Sequence, residues 1–437
     1  MIRLAVLLGT ALLSTTPAWA EPPSSYGCSH LEEAAPTPYI EGRHGVFFRL
    51  ALDLRMRHPM SDGSIALLAE LSEALGLRGT TLVFVPLPGK GLAMPRYLPE
   101  SAGDYGFDPA IATAAYEDVL ARLRAAGVVA VDALGPLQDL PDGTMAFIPT
   151  DHHWTSNGAR AVAEEVARVM HELPAYAGLE SAEHKTYSLG LQDLPSPYRR
   201  EIQAMCRDTV PRSATEAWET EVTQAPLGGG GGIFAAEAAG PPVVLVGTSM
   251  SRTESFNFDG FLADAADLDV LNYAVTGGNQ YGAMIAYMTS QEFQDAPPTF
   301  LVWENPIYNN LAEFGELPLR ELIAAAADQC VPVETVRADD HTLVADLPLD
   351  GLSSDSYVRA DAGAANGRAI HIGFITKDGR ELNGTIERTQ RIGPSRRFYQ
   401  YVEPFWEPGI SRIQVRFDRP VQDDATLALC TNKETAS

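Results

Sequence analysis

The chain of 437 residues is too long for one ordinary core and suits two domains. Its net charge of −25, from 32 basic against 57 acidic residues, argues against nucleic acid or an anionic membrane as a general partner. That balance leaves room for an anionic substrate held by a local basic patch.

The first twenty residues read as a processing segment. Arg3 supplies the positive start, Leu4 to Leu13 a short apolar core, and Ala18-Trp19-Ala20 a small-x-small cleavage site. The apolar part is short for a bilayer span, and no later stretch of sequence is long and apolar enough to anchor the chain. The expectation is a Sec-type signal cut after Ala20 and a soluble protein in the periplasm. Four cysteines in that oxidising compartment predict two disulfides. Of three possible pairings we favour Cys28–Cys206 and Cys330–Cys430, because each stays within, or closes off, one region of the chain. No Cys-x-x-Cys or His-rich spacing suggests a metal site, and no cofactor is expected.

Phe47 to Leu50 reads as an early strand, and Ser61 to Ser64 as a helix start followed by Ile65, Leu68, Leu71 and Leu75 on one face. Thr80 to Pro86 is a buried strand ending in the loop Leu87-Pro88-Gly89-Lys90-Gly91. A helix over Pro109 to Ala126 and a strand at Val128 to Asp132 complete a strand–helix–strand unit, which implies a parallel sheet. Leu134 to Phe147 reads as a connecting loop. Ile148 to Thr155, with Asp151-His152-His153 inside it, opens a helix whose stripe is Val162, Val166, Val169 and Met170. From about 173 to 240 periodicity fades, which predicts an irregular insertion pinned by Cys206, with Gly228 to Gly232 as a mobile loop.

Pro242 to Ser251, PVVLVGTSMS, is a short buried strand running into Gly247-Thr248-Ser249. Strands near Leu268 to Ala274 and Thr299 to Glu304, and a helix over Leu319 to Gln329, follow. Beyond about Val331 short alternating segments appear at 371–375, 398–402, 412–417 and 425–429, separated by Lys377-Asp378-Gly379 and Glu407-Pro408-Gly409. These read as an all-β sandwich. The expected organisation is a signal over 1–20, an α/β domain over 21–330 and a β domain over 331–437.

Ser249 stands where open α/β sheets bind ligands, at the carboxyl end of a strand. A nucleophilic serine needs a base, and the base a group that fixes its tautomer. Asp151 and His153, two residues apart in an extended loop, point the same way and offer both; His152 is expected to point to the opposite side. Three other readings compete for these residues: Asp151 as a helix cap, the His pair as a surface loop, and a metal site lacking a third ligand at suitable spacing. Ser251 is a rival nucleophile, expected to face away. Gly278 and Asn279, in the turn after the strand near Leu268 to Ala274, could supply oxyanion donors, or Asn279 could cap the next helix.

Together GTSMS, TDHHWT about a hundred residues before it, the FFRL and DLRMRHPMSDGS opening, VFVPLPGKGLAMP and the terminal β region resemble the periplasmic alginate O-acetyltransferases of the AlgX and AlgJ type. The resemblance spans nearly the whole mature chain, and a removable signal with a terminal β domain favours the AlgX type. It implies an SGNH-hydrolase-like α/β fold in permuted order, followed by a carbohydrate-binding module. It further implies Ser249 as nucleophile, His153 as base, Asp151 as orienting acid, and a membrane O-acyltransferase as acetyl donor. An acidic polysaccharide needs cations, and the densest cluster is Arg388, Arg391, Arg396 and Arg397, interleaved with Tyr399. The same stretch reads equally as a solvated strand edge and turn. The leading function is O-acetylation of an acidic exopolysaccharide in company with other secretion proteins; the alternatives are a polysaccharide acetylesterase and a non-catalytic binding scaffold.

Overall fold

In a computed structural model, residues 24–224, 240–348 and 351–431 are described. The expected signal peptide and the Gly228 to Gly232 run lie outside them. A five-stranded parallel sheet forms the first core, in the order Val129–Ala130, Thr81–Leu87, Phe300–Pro306, Val243–Val246, Val270–Asn272. Its inner strands are buried almost throughout, as expected when helices cover both faces of a parallel sheet. The middle strand is therefore Phe300–Pro306, and the Ser249 strand lies beside it.

Helices start where side chains can satisfy free backbone N–H groups. Ser61 accepts from Ser64 N ahead of Asp62–Gly76, and Asp108 from Ala110 N and Ile111 N ahead of Pro109–Ala125. Thr155 accepts from Gly158 N ahead of Ser156–His171, so Asp151 is not that helix's cap. Among the described residues no helix is long and apolar enough to cross a membrane.

Two readings of the sequence need correction. The segment between Leu134 and Phe147 contains a short helix, Leu134–Gln138. The supposedly irregular insertion contains an antiparallel ribbon of Glu183–Asp193 with Ala214–Gln224, joined through the helix Pro197–Ala204. Both strands are largely exposed, so neither face carries the apolar alternation by which a strand is recognised. The ribbon packs on the elements following Ser249, where Asn257 Nδ2 donates to Thr220 Oγ1 at 2.9 Å.

The carboxyl-terminal region holds two antiparallel sheets. One runs Cys330–Pro332, Thr426–Cys430, Tyr357–Asp361, Arg397–Tyr401; the other runs Val336–Asp339, Thr342–Asp346, Ile410–Phe417, Ala369–Thr376, Glu381–Glu387. Their inner faces share a separate core that includes Ile372, Phe374, Phe398 and Val415. The first core nevertheless reaches Tyr357, Ile392, Tyr399 and Cys430, so the two regions are joined by buried surface. The disulfides are Cys28–Cys206 and Cys330–Cys430, the pairing anticipated.

Candidate active site

The Ser249 strand ends at Gly247, and a Cβ there would sit 2.6 Å from Glu304 Oε2 and 3.1 Å from Ser251 Oγ. Only glycine lets the backbone pass this close to the neighbouring strand. Glu304, fully buried on Phe300–Pro306, accepts from Thr248 N at 2.8 Å, Thr248 Oγ1 at 3.0 Å and Ser251 Oγ at 3.0 Å. Burial pushes its carboxyl upward against those hydrogen bonds. Ser251 is thus buried and committed to Glu304, which removes it as a nucleophile. Ser249 begins the short helix Ser249–Arg252, where a backbone N–H lacks an intrahelical acceptor.

The ring that meets Ser249 arrives from the Asp151 loop. His153 Nε2 lies 2.9 Å from Ser249 Oγ, and His153 Nδ1 lies 2.6 Å from Asp151 Oδ1. The consistent tautomer donates from Nδ1 to the carboxylate and accepts the serine proton at Nε2. Burial opposes ionisation of Asp151, but the two imidazoles outweigh it and hold the carboxyl below its usual range. Trp154 locks the two loops together: fully buried, it donates from Nε1 to Met250 O at 2.9 Å.

His152 does not point away from the pair. Its ring centroid is 3.8 Å from that of His153, and its Nδ1 is 3.2 Å from Asp151 Oδ1 without hydrogen-bond geometry. Burial pushes His152 down to about 4, so it is neutral near pH 7. Asp151, His152 and His153 have donor atoms within 4.8 Å of one another, the chemistry of a possible metal-ligand group. Both nitrogens of His153 are already engaged, by Asp151 and by Ser249.

The oxyanion expectation is not supported by the turn's own bonding. Gly278 N donates to Val275 O at 3.4 Å, and Asn279 Oδ1 accepts from Tyr281 N at 2.8 Å ahead of the helix Gly282–Met288. Asn279, in the left-handed region at φ 56°, instead lines a cavity of about 330 Å³ between the two regions, with Phe314, Leu317, Glu321 and Tyr401.

The arginine cluster is mostly structural. Arg388 is buried in a two-pronged ion pair with Glu321, one contact being 2.7 Å. Arg396 and Arg397 reach Asp361 at 2.6 and 3.2 Å, and Tyr399 is buried with its hydroxyl donating to Asp328 at 3.1 Å. As placed, these four are not an open polymer-binding face; side chains brought in from other elements neutralise them. Arg391 is exposed and has no ion pair among the described residues, lying over Gly277. A cation the sequence reading overlooked is Arg252, three residues after Ser249, exposed and likewise without an ion pair among the described residues. Glu304 and Lys90 were overlooked too. VFVPLPGKG and LVWEN show a charged residue at or just beyond a buried strand, the one local signal available.

A parallel sheet with a strand-end serine, and an Asp-x-His loop converging on it, defines an SGNH-hydrolase-like protein. The family described as "ALGX: SGNH hydrolase-like domain, acetyltransferase AlgX" matches residues 40–307, and the chain belongs to it. It is 31% identical over 279 residues to the alginate biosynthesis protein AlgX of Pseudomonas aeruginosa, covering 63% of this chain and 57% of that one. It is 31% identical over 250 residues to the probable alginate O-acetylase AlgJ of the same organism, covering 55% of this chain and 62% of the relative. The chain therefore matches less than two thirds of the length of either. The solved structure of Pseudomonas aeruginosa AlgX superposes with a TM-score of 0.73 at 25% identity, over 90% of this chain and 93% of that one.

Proposed function

We propose that this chain is an exported O-acetyltransferase that acetylates an acidic, alginate-like polysaccharide through an acetyl-serine. His153 Nε2 takes the Ser249 proton as Oγ attacks the acetyl carbonyl carbon. The bond to the donor's leaving group then breaks, and that group departs with the proton returned by His153. A sugar hydroxyl attacks the acetyl-serine next, giving its proton to His153 and restoring the Ser249 hydroxyl. General-base assistance of this kind is worth about 10²–10⁴-fold. The observation that carries the reading is the continuous Asp151–His153–Ser249 chain, at 2.6 and 2.9 Å.

Family membership supports acetyl transfer, and the relatives' names support alginate as the polymer class. Arg252 and Arg391 are the unpaired cations we assign to polymer carboxylates, in place of the buried arginines. The signal-like opening and the two disulfides support the periplasm. Under this reading the acetyl donor is a membrane O-acyltransferase acting with other exopolysaccharide-secretion proteins.

The test incubates purified protein with a chromogenic acetate ester and polymannuronate oligomers, then weighs the oligomers by mass spectrometry. Acetylated oligomers from the wild type and none from Ser249→Ala are expected. Free acetate with unmodified oligomers makes the protein an esterase, and turnover that survives Ser249→Ala overturns the acyl-serine.

A further inference from the structure

The triad leaves the buried Lys90 without a role. Lys90 follows the strand Thr81–Leu87 and is 1% exposed. Its Nζ donates to four backbone carbonyls: Phe47 O at 2.8 Å, Ile148 O at 2.7 Å, Pro149 O at 2.8 Å and Asp151 O at 3.0 Å. Three of these acceptors belong to the turn that delivers the Asp151 carboxylate to His153. The fourth belongs to the strand Phe47–Arg49, whose Phe47 N in turn donates to Pro149 O at 2.8 Å.

An ammonium has three protons and no acceptor, so four carbonyls saturate it. Ile148 O and Pro149 O also accept from Asp151 N at 3.2 Å and Phe47 N at 2.8 Å, so a hydrophobic side chain of similar length would leave those two one donor each while taking the ammonium from Phe47 O and Asp151 O, a costly loss for buried polar groups. Gly91, the next residue, lets the backbone beside Lys90 pass close to Asp53: a Cβ there would lie 2.2 Å from Asp53 O. The charged groups facing Lys90 are Asp53 and Asp151, which favour its charge, and Arg49, which opposes it; burial outweighs them and pushes the amine down to about 7.

We propose that Lys90 is a positioning residue for acyl transfer: its ammonium fixes the 148–151 turn, and through it the carboxylate that orients His153. Lys90 touches no reacting atom and acts through the backbone of its neighbours. The proposal rests on reading Ser249, His153 and Asp151 as the acyl-transfer site. Displacement of a catalytic group by about 1 Å can cost on the order of 10²-fold in rate. Loss of the Lys90 proton near neutrality removes the charge from the clamp. The wild-type rate therefore falls along an alkaline limb as Lys90 loses its proton.

The experiment measures kcat and KM for a chromogenic acetate ester across pH 5 to 10, for the wild type, Lys90→Met and Ser249→Ala. Lys90→Met is expected to lower kcat about 10²-fold with KM within about twofold, and to lose the alkaline limb. A folded Lys90→Met with wild-type kcat, or with the alkaline limb intact, overturns the proposal. Turnover by Ser249→Ala overturns the acyl-serine instead, so the two failures are distinguishable. If Lys90→Met does not fold, ¹⁵N titration of the wild-type Lys90 amine decides: a midpoint matching the alkaline limb supports the proposal, and a midpoint well removed from it overturns it.

Discussion

At the residue scale the site depends on which hydrogen bonds each group has already spent. Ser249 Oγ faces His153 Nε2, while Ser251, two positions on, is tied to Glu304. Asp151 stays ionised because two imidazoles face it, and His153 is thereby held with Nε2 toward the serine. Asp151→Asn keeps the shape but supports the wrong tautomer, so kcat for a chromogenic acetate ester should fall by roughly 10⁴-fold with KM little changed. The same change alters acid stability. A carboxyl held below its ordinary 3.8 stabilises the fold fully above that pH and loses the contribution as acid protonates it. The Asn variant should therefore show a flatter loss of stability in urea titrations below about pH 4.

At the scale of elements, Ser249 and His153 are braced by side chains from elsewhere in the fold. Glu304 holds the Gly247-Thr248 turn from the adjacent strand, Trp154 ties the Asp151 loop to Met250, and Tyr198 on the helix Pro197–Ala204 packs 4.9 Å from the His152 ring. That helix is joined to the amino-terminal segment by Cys28–Cys206. Gly247→Ala would press a methyl against Glu304 and Ser251. We expect about 1–3 kcal/mol of destabilisation in denaturant titration, together with at least a tenfold loss of kcat as the turn moves. Equal activity in Gly247→Ala would show that the turn yields without moving Ser249. The ribbon of Glu183–Asp193 and Ala214–Gln224 makes the opposite point. Its residues are mostly solvent-facing, and its pairing is fixed by partners on the elements after Ser249 rather than by an apolar face of its own.

At the scale of the whole molecule, Arg388 and Arg397 reach across to the α/β region, through Glu321 and through Ser290 O and Gln291, while Arg396 pairs within the β region with Asp361 and Asp424. Glu321 on the helix Leu317–Ala327 meets Arg388, and also accepts from Tyr399 N at 3.3 Å. Asp328, just past that helix, accepts from Arg359 at 2.9 Å and from the Tyr399 hydroxyl. Removing one partner of a buried ion pair leaves the other charge stranded. Arg388→Met should cost about 3–5 kcal/mol by thermal or urea unfolding, whereas Glu321→Leu with Arg388→Met together should recover much of it. A small effect of Arg388→Met alone would mean that the pair is solvated in solution. On an acidic surface this arrangement leaves Arg252, three residues after Ser249, and Arg391, over Gly277, as the exposed cations of the proposed polymer contact.

The residues alone made legible whatever is encoded by short-range pattern. The buried strands before Gly247 and Lys90, the helix stripe from Val162 to Met170, the four cysteines and the Asp-x-His spacing all follow from residue type and period. They were enough to pick out Ser249, His153 and Asp151 as candidates. Tertiary structure decided what the sequence left open or misjudged: Thr155 rather than Asp151 caps the helix, His152 lies tilted against His153 instead of pointing away, and Asn279 accepts from Tyr281 N in its own turn. It likewise paired Arg388 with Glu321 and Arg396 and Arg397 with Asp361, and gave Lys90 its four carbonyls. The reason is physical. A charge is free or spent according to which group stands within about 3–4 Å of it, and in this chain those groups come from segments tens to hundreds of residues away.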